Sequence, residues 1–200
     1  SVMNALRKEK RVSPHAPIMP GLGFGGGTLA RDVQILRALG KQKSTPTPML
    51  DSTFQSNRER MHYVPRKLKE VLGSLSGKTI AFFGLTYKPG TDTLRRSLAL
   101  DVIDELKASG AGIQAYDPAI NCPITTHPQV KICSSAKEAA SGADAIVLTT
   151  AWDEFKALDW TAIAPAMRTP ILIDARNALD TNLTGPTMRY YGIGVVHASK

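Results

Sequence analysis

Inner, mostly apolar positions recur at alternating spacings of four and three between residues 50 and 71. This spacing predicts one long helix whose inner face carries Leu50, Phe54, Asn57, Met61, Val64, Leu68 and Val71. Pro65 lies within the stretch, and we expect it to kink or interrupt the helix, because proline lacks the N–H that a helix interior needs. The pattern is typical of a seam between paired helices, although an amphipathic helix packed on its own domain shows it too.

From residue 79 onward, short apolar runs alternate with helical segments. The runs predict strands at 79–84, 112–116, 130–133, 145–149, 170–174 and 190–196. The segments between them predict helices at 97–110, 136–142 and 152–167, with Pro165 as a break in the last. This alternation predicts an α/β fold with a parallel sheet and helices on both faces. Such sheets bind ligands at the carboxyl ends of their strands.

Five glycines occupy the seven positions 21–27, directly before a predicted helix at 28–40. Without Cβ atoms, this loop can let its backbone approach a ligand closely, and the following helix offers free N–H groups at its start. Asp32 falls in the first turn, where the helix dipole favours an acid. The glycines alone leave two interpretations open, a ligand-binding loop and a flexible linker.

Charge is distributed unevenly within a net charge of +8. Residues 1–78 contain 14 Lys and Arg against 5 Asp and Glu, whereas residues 79–200 contain 11 against 12. The basic part lacks zinc-finger spacing, a helix-turn-helix pattern and an aromatic-interleaved basic ribbon, so we expect a small anion such as a nucleotide-sugar pyrophosphate rather than nucleic acid. A nucleic-acid-binding protein stays a third hypothesis, which predicts steeply salt-dependent binding to DNA.

Other classes of protein are disfavoured by composition. No apolar run approaches the ~20 residues that cross a bilayer, and the first residues do not resemble a signal peptide. We therefore expect a soluble, cytoplasmic protein without a membrane partner. Cys122 and Cys133 have no metal-ligand spacing around them, which predicts free thiols and no metal site.

The order of residues in 24–32 resembles the active-site segment of the UDP-glucose/GDP-mannose dehydrogenase family. That segment has a Gly-Phe-Gly-Gly loop, a small residue, a nucleophilic Cys, and then Lys and Asp three and four positions after the Cys. Phe24, Gly25 and Gly26 fit the loop, and Asp32 fits the Asp. Two positions depart from the family, since Arg31 replaces the Lys and Thr28 occupies the nucleophile position.

Four further segments match the family in the same order. Residues 88–98 are similar to its Lys…Thr-Asp-Asp-x-Arg-Glu-Ser-Pro segment, with Lys88, Asp92, Arg95 and Ser97 fitting and Thr93, Arg96 and Leu98 departing. The other three are a Tyr-Asp-Pro at 116–118, a Thr-x-Trp-x-x-Phe at 150–155 and an Asp-Gly-Arg-Asn counterpart at 174–177. Core packing is the favoured interpretation of Tyr116 and Trp152. The resemblance covers nearly the whole chain from about residue 11 to residue 196.

The resemblance implies roles for particular residues. It implies substrate contacts by Phe24, Gly25 and Lys88, although a solvated loop lysine is the alternative for Lys88. Arg95 is implied to contact the phosphates of NAD. In the family, an arginine shortly before the glycine loop reaches the site of a neighbouring subunit, and Arg11 is its counterpart here. The alternative for Arg11 is that it is simply one charge in a basic run. A guanidinium at a strand end can hold a phosphate or a sugar hydroxyl with two aligned N–H bonds, which makes Arg176 a predicted substrate ligand.

The resemblance also implies an architecture and a partner. In the family, a long central helix links two Rossmann-like domains and forms the dimer contact. Residues 1–76 are thus expected to belong to the central dimerisation domain, with the glycine-rich loop, and residues 77–200 to form a Rossmann-like nucleotide-sugar-binding domain. A homodimer and a nucleotide sugar such as UDP-glucose are the implied partners. The family's NAD domain, with its Gly-x-Gly-x-x-Gly loop, has no counterpart among these 200 residues.

Two functions follow as hypotheses. In the first, the chain is the C-terminal part of an NAD-dependent nucleotide-sugar 6-dehydrogenase. Enzymes of this family oxidise a sugar C6 alcohol to a carboxylate through a thioester on Cys, with two NAD⁺ as hydride acceptors. A threonine hydroxyl is far less acidic than a thiol and needs an adjacent base, so with Thr28 and Asp32 at the catalytic positions we expect this chain alone to be inactive. The second is a non-catalytic, dimerising nucleotide-sugar-binding module.

Overall fold

The computed structural model describes residues 2–16, 18–25, 27–182 and 184–195. Gly26 of the glycine-rich loop and residue 196 of the last predicted strand lie outside the described residues. Among the described residues, every helix is too short or too polar to span a bilayer.

Six parallel strands form one sheet in the order β3-β2-β1-β4-β5-β6. In chain order they are β1 Thr79–Phe83, β2 Gly112–Tyr116, β3 Lys131–Ile132, β4 Ala145–Leu148, β5 Ile171–Asp174 and β6 Arg189–Gly192. All six predicted strands are present; the bounds of β2 are as predicted, and the ends of the other strands differ from the prediction by at most four residues. The strand order reverses between β1 and β4, and in a doubly wound Rossmann-like sheet this switch point opens a crevice at the carboxyl ends. The predicted fold class is therefore confirmed.

Both faces of the sheet are buried. Successive residues of a strand point to opposite faces. Ile80 and Phe82 lie in one apolar cluster, and Ala81 and Phe83 in the other. The first cluster is covered by α4 (Tyr63–Leu72) and α5 (Leu98–Ala108). The second is covered by α6 (Ala136–Ala140), α7 (Asp153–Lys156) and α8 (Trp160–Ile163).

The predicted helix at 152–167 is divided into α7, α8 and the 3₁₀ turn Ala164–Ala166. Asp159 causes one division, because its carboxylate accepts hydrogen bonds from the N–H groups of Thr161 and Ala162 and so starts a new helix. Pro165 lies in the 3₁₀ turn, where the break was predicted.

The helical part contains α1 (Val2–Leu6), α2 (Leu29–Gln42) and α3 (Pro48–Met61) before α4. Helix α2 begins after Thr28 and has Asp32 in its first turn, as predicted. The predicted long helix is interrupted at His62, three residues before Pro65. Pro65 thereby falls in the first turn of α4, where a missing N–H costs nothing. Val64 and Leu68 of the predicted seam are fully buried in this chain's own core, whereas Leu50, Phe54 and Met61 are only partly buried.

Candidate functional site

The ends of β1 and β4 meet at a glycine. Gly84 follows β1 with φ +91°, and a Cβ at this position would collide with Thr150. The hydroxyl of Thr149 donates to the carbonyl of Gly84 over 2.6 Å, and that of Thr150 donates to the carbonyl of Thr86 over 2.6 Å. Through these bonds, the two threonine side chains after β4 join the loop after β1 at the switch point.

Asp117, which follows β2, organises the first loop of the sheet. Its side chain is buried, and its Oδ2 accepts the N–H groups of Leu85 and Thr86 at 2.6 and 3.0 Å. Trp152 donates its indole N–H to the same oxygen at 3.3 Å, and Ala119 donates its N–H to Oδ1 at 2.9 Å. The aspartate of the Tyr-Asp-Pro segment is therefore a structural acceptor at the strand ends.

The same contacts decide whether this turn can hold a dinucleotide. A Rossmann-type NAD site needs a glycine-rich first turn whose N–H groups are free for the pyrophosphate. Here the sequence after β1 lacks Gly-x-Gly-x-x-Gly, and the N–H groups of Leu85 and Thr86 already donate to Asp117. The residues at this turn do not fit NAD.

Arg176 is placed by a second buried carboxylate. Asp174 ends β5 with no exposed surface, and it accepts the N–H groups of Arg176, Ala178 and Leu179 at 2.8–2.9 Å. This tight turn sends the half-buried Arg176 side chain across the strand ends. Burial lowers the pKa of its guanidinium, and the Asp174 carboxylate acts in the opposite direction. Among the described residues, the Arg176 guanidinium has no hydrogen-bond acceptor of its own.

The glycine-rich loop lies directly against Arg176. A Cβ on Gly21 would lie 2.7 Å from Nη1 of Arg176, so any other residue at this position would displace the end of that side chain. Between the loop and the strand ends is a narrow cavity of about 40 Å³, lined by Leu22, Gly23, Gly25, Thr86, Tyr87, Ser97, Leu98, Ala99, Thr149 and Arg176. The structure therefore brings Gly25 and Arg176, predicted from separate segments, to one crevice.

Helix α3 holds the other side of the loop. The side-chain amide of Asn57 accepts the N–H of Phe24 at 2.7 Å and donates to its carbonyl at 2.9 Å. Arg60 donates to the carbonyl of Gly21 at 3.1 Å. Sequence reasoning gave Asn57 only as an inner position of the seam. A polar amide in an otherwise apolar inner row was the signal that could have indicated this contact.

Arg96 is a further contact that the sequence interpretation did not assign. It stands at φ +55°, and its guanidinium donates to the carbonyl of Gly27, directly before Thr28, over 3.4 Å. Phe24, Gly25 and Arg96 share a second cavity of about 240 Å³ with residues of α2, α3 and α5. Arg96, which replaces the family's Glu, therefore lies next to Thr28, which replaces its Cys.

The remaining predicted residues are not gathered into the crevice. Thr28 is exposed, and its hydroxyl makes no capping bond to α2. Asp32 pairs with the neighbouring Arg31 over 3.0 Å. Lys88 lies in an exposed loop with its Nζ 5.6 Å from the ring centre of Tyr87.

Arg95 and Arg11 are also outside the crevice. Arg95 is exposed and lines a separate cavity with His127 and residues of α5. Arg11 has an 87% exposed side chain and pairs with Glu9 at 3.1 Å. Within one chain, therefore, neither guanidinium contributes to the crevice that Arg176 faces.

Several known proteins are similar in sequence to most of this chain. A model of the UDP binding domain of the UDP-glucose/GDP-mannose dehydrogenase family matches residues 81–181, and a model of the family's central domain matches residues 1–59. A UDP-glucose 6-dehydrogenase of Rickettsia bellii is 36% identical over 191 residues, which are 93% of this chain and 44% of that protein. One from Pseudomonas aeruginosa is 33% identical over 88% of this chain and 40% of its own length.

Solved structures show the same relationship. A UDP-D-ManNAc dehydrogenase from Pyrococcus horikoshii is 28% identical, with a TM-score of 0.76 over 96% of this chain and 43% of that one. The chain thus spans less than half the length of the relatives it matches. Since the UDP binding domain model covers half of the sequence and the central domain model a further 59 residues, the chain belongs to the UDP-glucose/GDP-mannose dehydrogenase family.

Proposed function

We propose that this chain binds a nucleotide sugar, with UDP-glucose as the first choice, at the crevice between the glycine-rich loop and the strand ends. The cavity there, of about 40 Å³, has room for one ligand group only, so the rest of the nucleotide sugar would lie outside it. One observation carries the proposal: the guanidinium of Arg176 is half-buried, has no acceptor among the described residues, and lies against Gly21 of the loop. A half-buried guanidinium without a hydrogen-bond acceptor has lost part of its hydration, and a ligand anion would replace it. A phosphate oxygen or a sugar hydroxyl of the ligand would accept hydrogen bonds from the two aligned N–H groups of Arg176.

Neighbouring groups would assist this binding. The loop lines the crevice with Gly23 and Gly25. The basic residues of 1–78 would attract the phosphates over longer distances. Lys88, exposed in the loop after β1, would have to move inward to contact the ligand, as the family resemblance implies.

Calorimetric titration with UDP, UDP-glucose and GDP-mannose tests the proposal. We expect one of these ligands to bind, and Arg176→Ala to weaken that binding by about tenfold or more, because a charge-assisted pair is lost. Arg189→Ala is the matched control, since Arg189 is an exposed arginine at the start of β6. Equal affinities of the two variants, or no binding by the unaltered chain, would contradict the proposal.

We further propose that the chain is the C-terminal part of an NAD-dependent nucleotide-sugar 6-dehydrogenase. Its relatives named UDP-glucose 6-dehydrogenase support this reading. Residues 1–76 would belong to the central dimerisation domain and residues 77–200 to the nucleotide-sugar domain. Because the turn after β1 does not fit NAD, the dinucleotide would be held by a domain outside this sequence. Homodimerisation, a cytoplasmic location and a role in polysaccharide biosynthesis are parts of the same proposal.

Thr28 favours a second function, a non-catalytic nucleotide-sugar-binding module. The residue at the nucleophile position is an exposed threonine, and the nearby Asp32 carboxylate is occupied by Arg31 rather than by the hydroxyl of Thr28. A hydroxyl without a base is a weak nucleophile. Incubation of the chain with NAD⁺ and UDP-glucose should give no sustained NADH. Sustained NADH production would contradict this second function and the expected inactivity of the chain.

A further inference from the structure

The glycine-rich loop is held from two sides. On one side Arg176 packs against Gly21, and the Arg96 guanidinium donates to the carbonyl of Gly27. On the other side helix α3 contributes Asn57 and Arg60. Free glycines lose more conformational entropy on ordering than any other residue, so these contacts have to offset a large cost.

Asn57 makes the closest of these contacts. Its amide forms a reciprocal pair with the backbone of Phe24, accepting at 2.7 Å and donating at 2.9 Å, across 33 residues of sequence. Gly23, at φ +124°, passes so close that any Cβ there would collide with Oδ1 of Asn57. The pair fixes both the position and the direction of the backbone at Phe24, since an amide offers one donor and one acceptor in a fixed geometry.

The consequence extends to the crevice. Gly23 and Gly25, on either side of the clamped residue, line the cavity that Arg176 faces. We propose that Asn57 is a positioning residue. It holds the glycine-rich loop next to Arg176, so that the loop backbone and the guanidinium can contact the same ligand. This inference rests on the proposed nucleotide-sugar site, and it assigns to α3 a role in ligand binding in addition to packing.

Asn57→Asp tests the amide pair almost without change of shape. The carboxylate can still accept the Phe24 N–H, but it faces the Phe24 carbonyl with an oxygen in place of a donor. A protonated carboxyl again has one donor and one acceptor, and only this neutral form can donate to the carbonyl, so acidification should restore the pair. Gln55→Glu is the matched control, because it makes the same charge change at an exposed position of the same helix.

The first measurement is hydrogen exchange of the backbone amides in the loop. At pH 7.5 we expect about tenfold faster exchange at the Phe24 amide in Asn57→Asp, because the loop opens more often once the Phe24 carbonyl has lost its donor, with exchange in β1 and β4 unchanged. Gln55→Glu should match the unaltered protein. Loop exchange that is equal in the two variants would overturn the proposal, and this readout needs no ligand.

The second measurement is the affinity for UDP-glucose at pH 7.5 and 5.0. We expect Asn57→Asp to bind about tenfold more weakly than the unaltered protein at pH 7.5 and to regain most of that loss at pH 5.0. Gln55→Glu should show no such recovery. An equal deficit at both pH values would overturn the positioning role. If the unaltered protein binds no nucleotide sugar, the proposed function fails, and loop exchange alone decides on the clamp.

Discussion

Four consecutive residues of β1, from Ile80 to Phe83, have no exposed surface, whereas helix α3 buries none of its fourteen residues completely. Exposed apolar side chains follow the same division. Eight of the ten large ones among the described residues precede residue 50: Val2, Leu6, Met19, Leu29, Ile35, Leu36, Leu39 and Met49. The sheet region therefore closes its own core, while the helical region keeps apolar surface outside it.

The two regions also use polar groups differently. In the sheet region, the buried carboxylates of Asp117 and Asp174 each satisfy several backbone N–H groups at the strand ends. In the helical region, Asn57 and Arg60 satisfy backbone groups of a loop rather than of their own core. The contrast indicates that the sheet supplies stability and one wall of the crevice, whereas the helices position the other wall.

Removal of a core ring should give the largest contrast between the regions. Phe82→Ala is expected to lower the free energy of unfolding by about 4 kcal/mol, because Phe82 has no exposed surface and its loss leaves a cavity. Phe54→Ala, on α3, should cost only about 1 kcal/mol, since the ring is half-buried and its centre lies 4.3 Å from the Arg37 guanidinium. Urea unfolding measures both. Equal losses would contradict the division into a closed core and an open helical part.

Loss of a buried acceptor should have the next largest effect. Asp117→Ala leaves the N–H groups of Leu85 and Thr86 and the indole N–H of Trp152 without their partner, at an expected cost of about 3 kcal/mol. Asp51→Ala, in the helical region, should cost less than about 1 kcal/mol, because Asp51 is exposed and pairs with Arg37 on the surface. Urea unfolding followed by Trp fluorescence measures the loss of stability in both variants. A loss below about 1 kcal/mol for Asp117→Ala would show that water replaces the carboxylate.

Association through the helical region should be sensitive to the part of the seam left outside the core. Leu50→Lys is expected to weaken the proposed homodimer by about tenfold, because it places a charge at a half-buried apolar position of α3. Ser52→Lys adds the same charge at an exposed position of that helix and should leave association unchanged. Sedimentation equilibrium measures both variants. A monomeric unaltered protein would contradict the proposed dimer.

The smallest effect concerns acid stability in the sheet region. The N–H of Ser134, the Lys131 ammonium and the Ser134 hydroxyl lower the pKa of Glu138 from its ordinary 4.5 to about 2. A lowered folded-state pKa gives a stabilisation that is present above pH 4.5 and is lost as the pH falls toward 2. Glu138→Gln should therefore reduce the difference between melting temperatures at pH 5 and pH 2.5. The comparison is a thermal melt at each pH, and an unchanged difference would contradict this assignment.

Local patterns predicted most of the fold. Each apolar run from 79 onward became a strand, because a run of this length between turns can be buried only as part of a sheet that other elements cover. The interruption near Pro65 was predicted as well, although it falls at His62, where the proline can occupy the first turn of the next helix. The segment 152–167 was less well predicted, because the capping by Asp159 competed with its apolar pattern.

The sequence by itself determined the alternation of strands and helices, the presence of a glycine-rich loop and the family resemblance, since all of these depend on residues close together in the chain. Only the tertiary structure decided the strand order, the approach of Arg176 to Gly21 and the pairing of Asn57 with Phe24. It also showed that Asp117 takes the N–H groups after β1. These contacts join residues more than thirty positions apart, so they depend on how the elements pack, which no local spacing specifies.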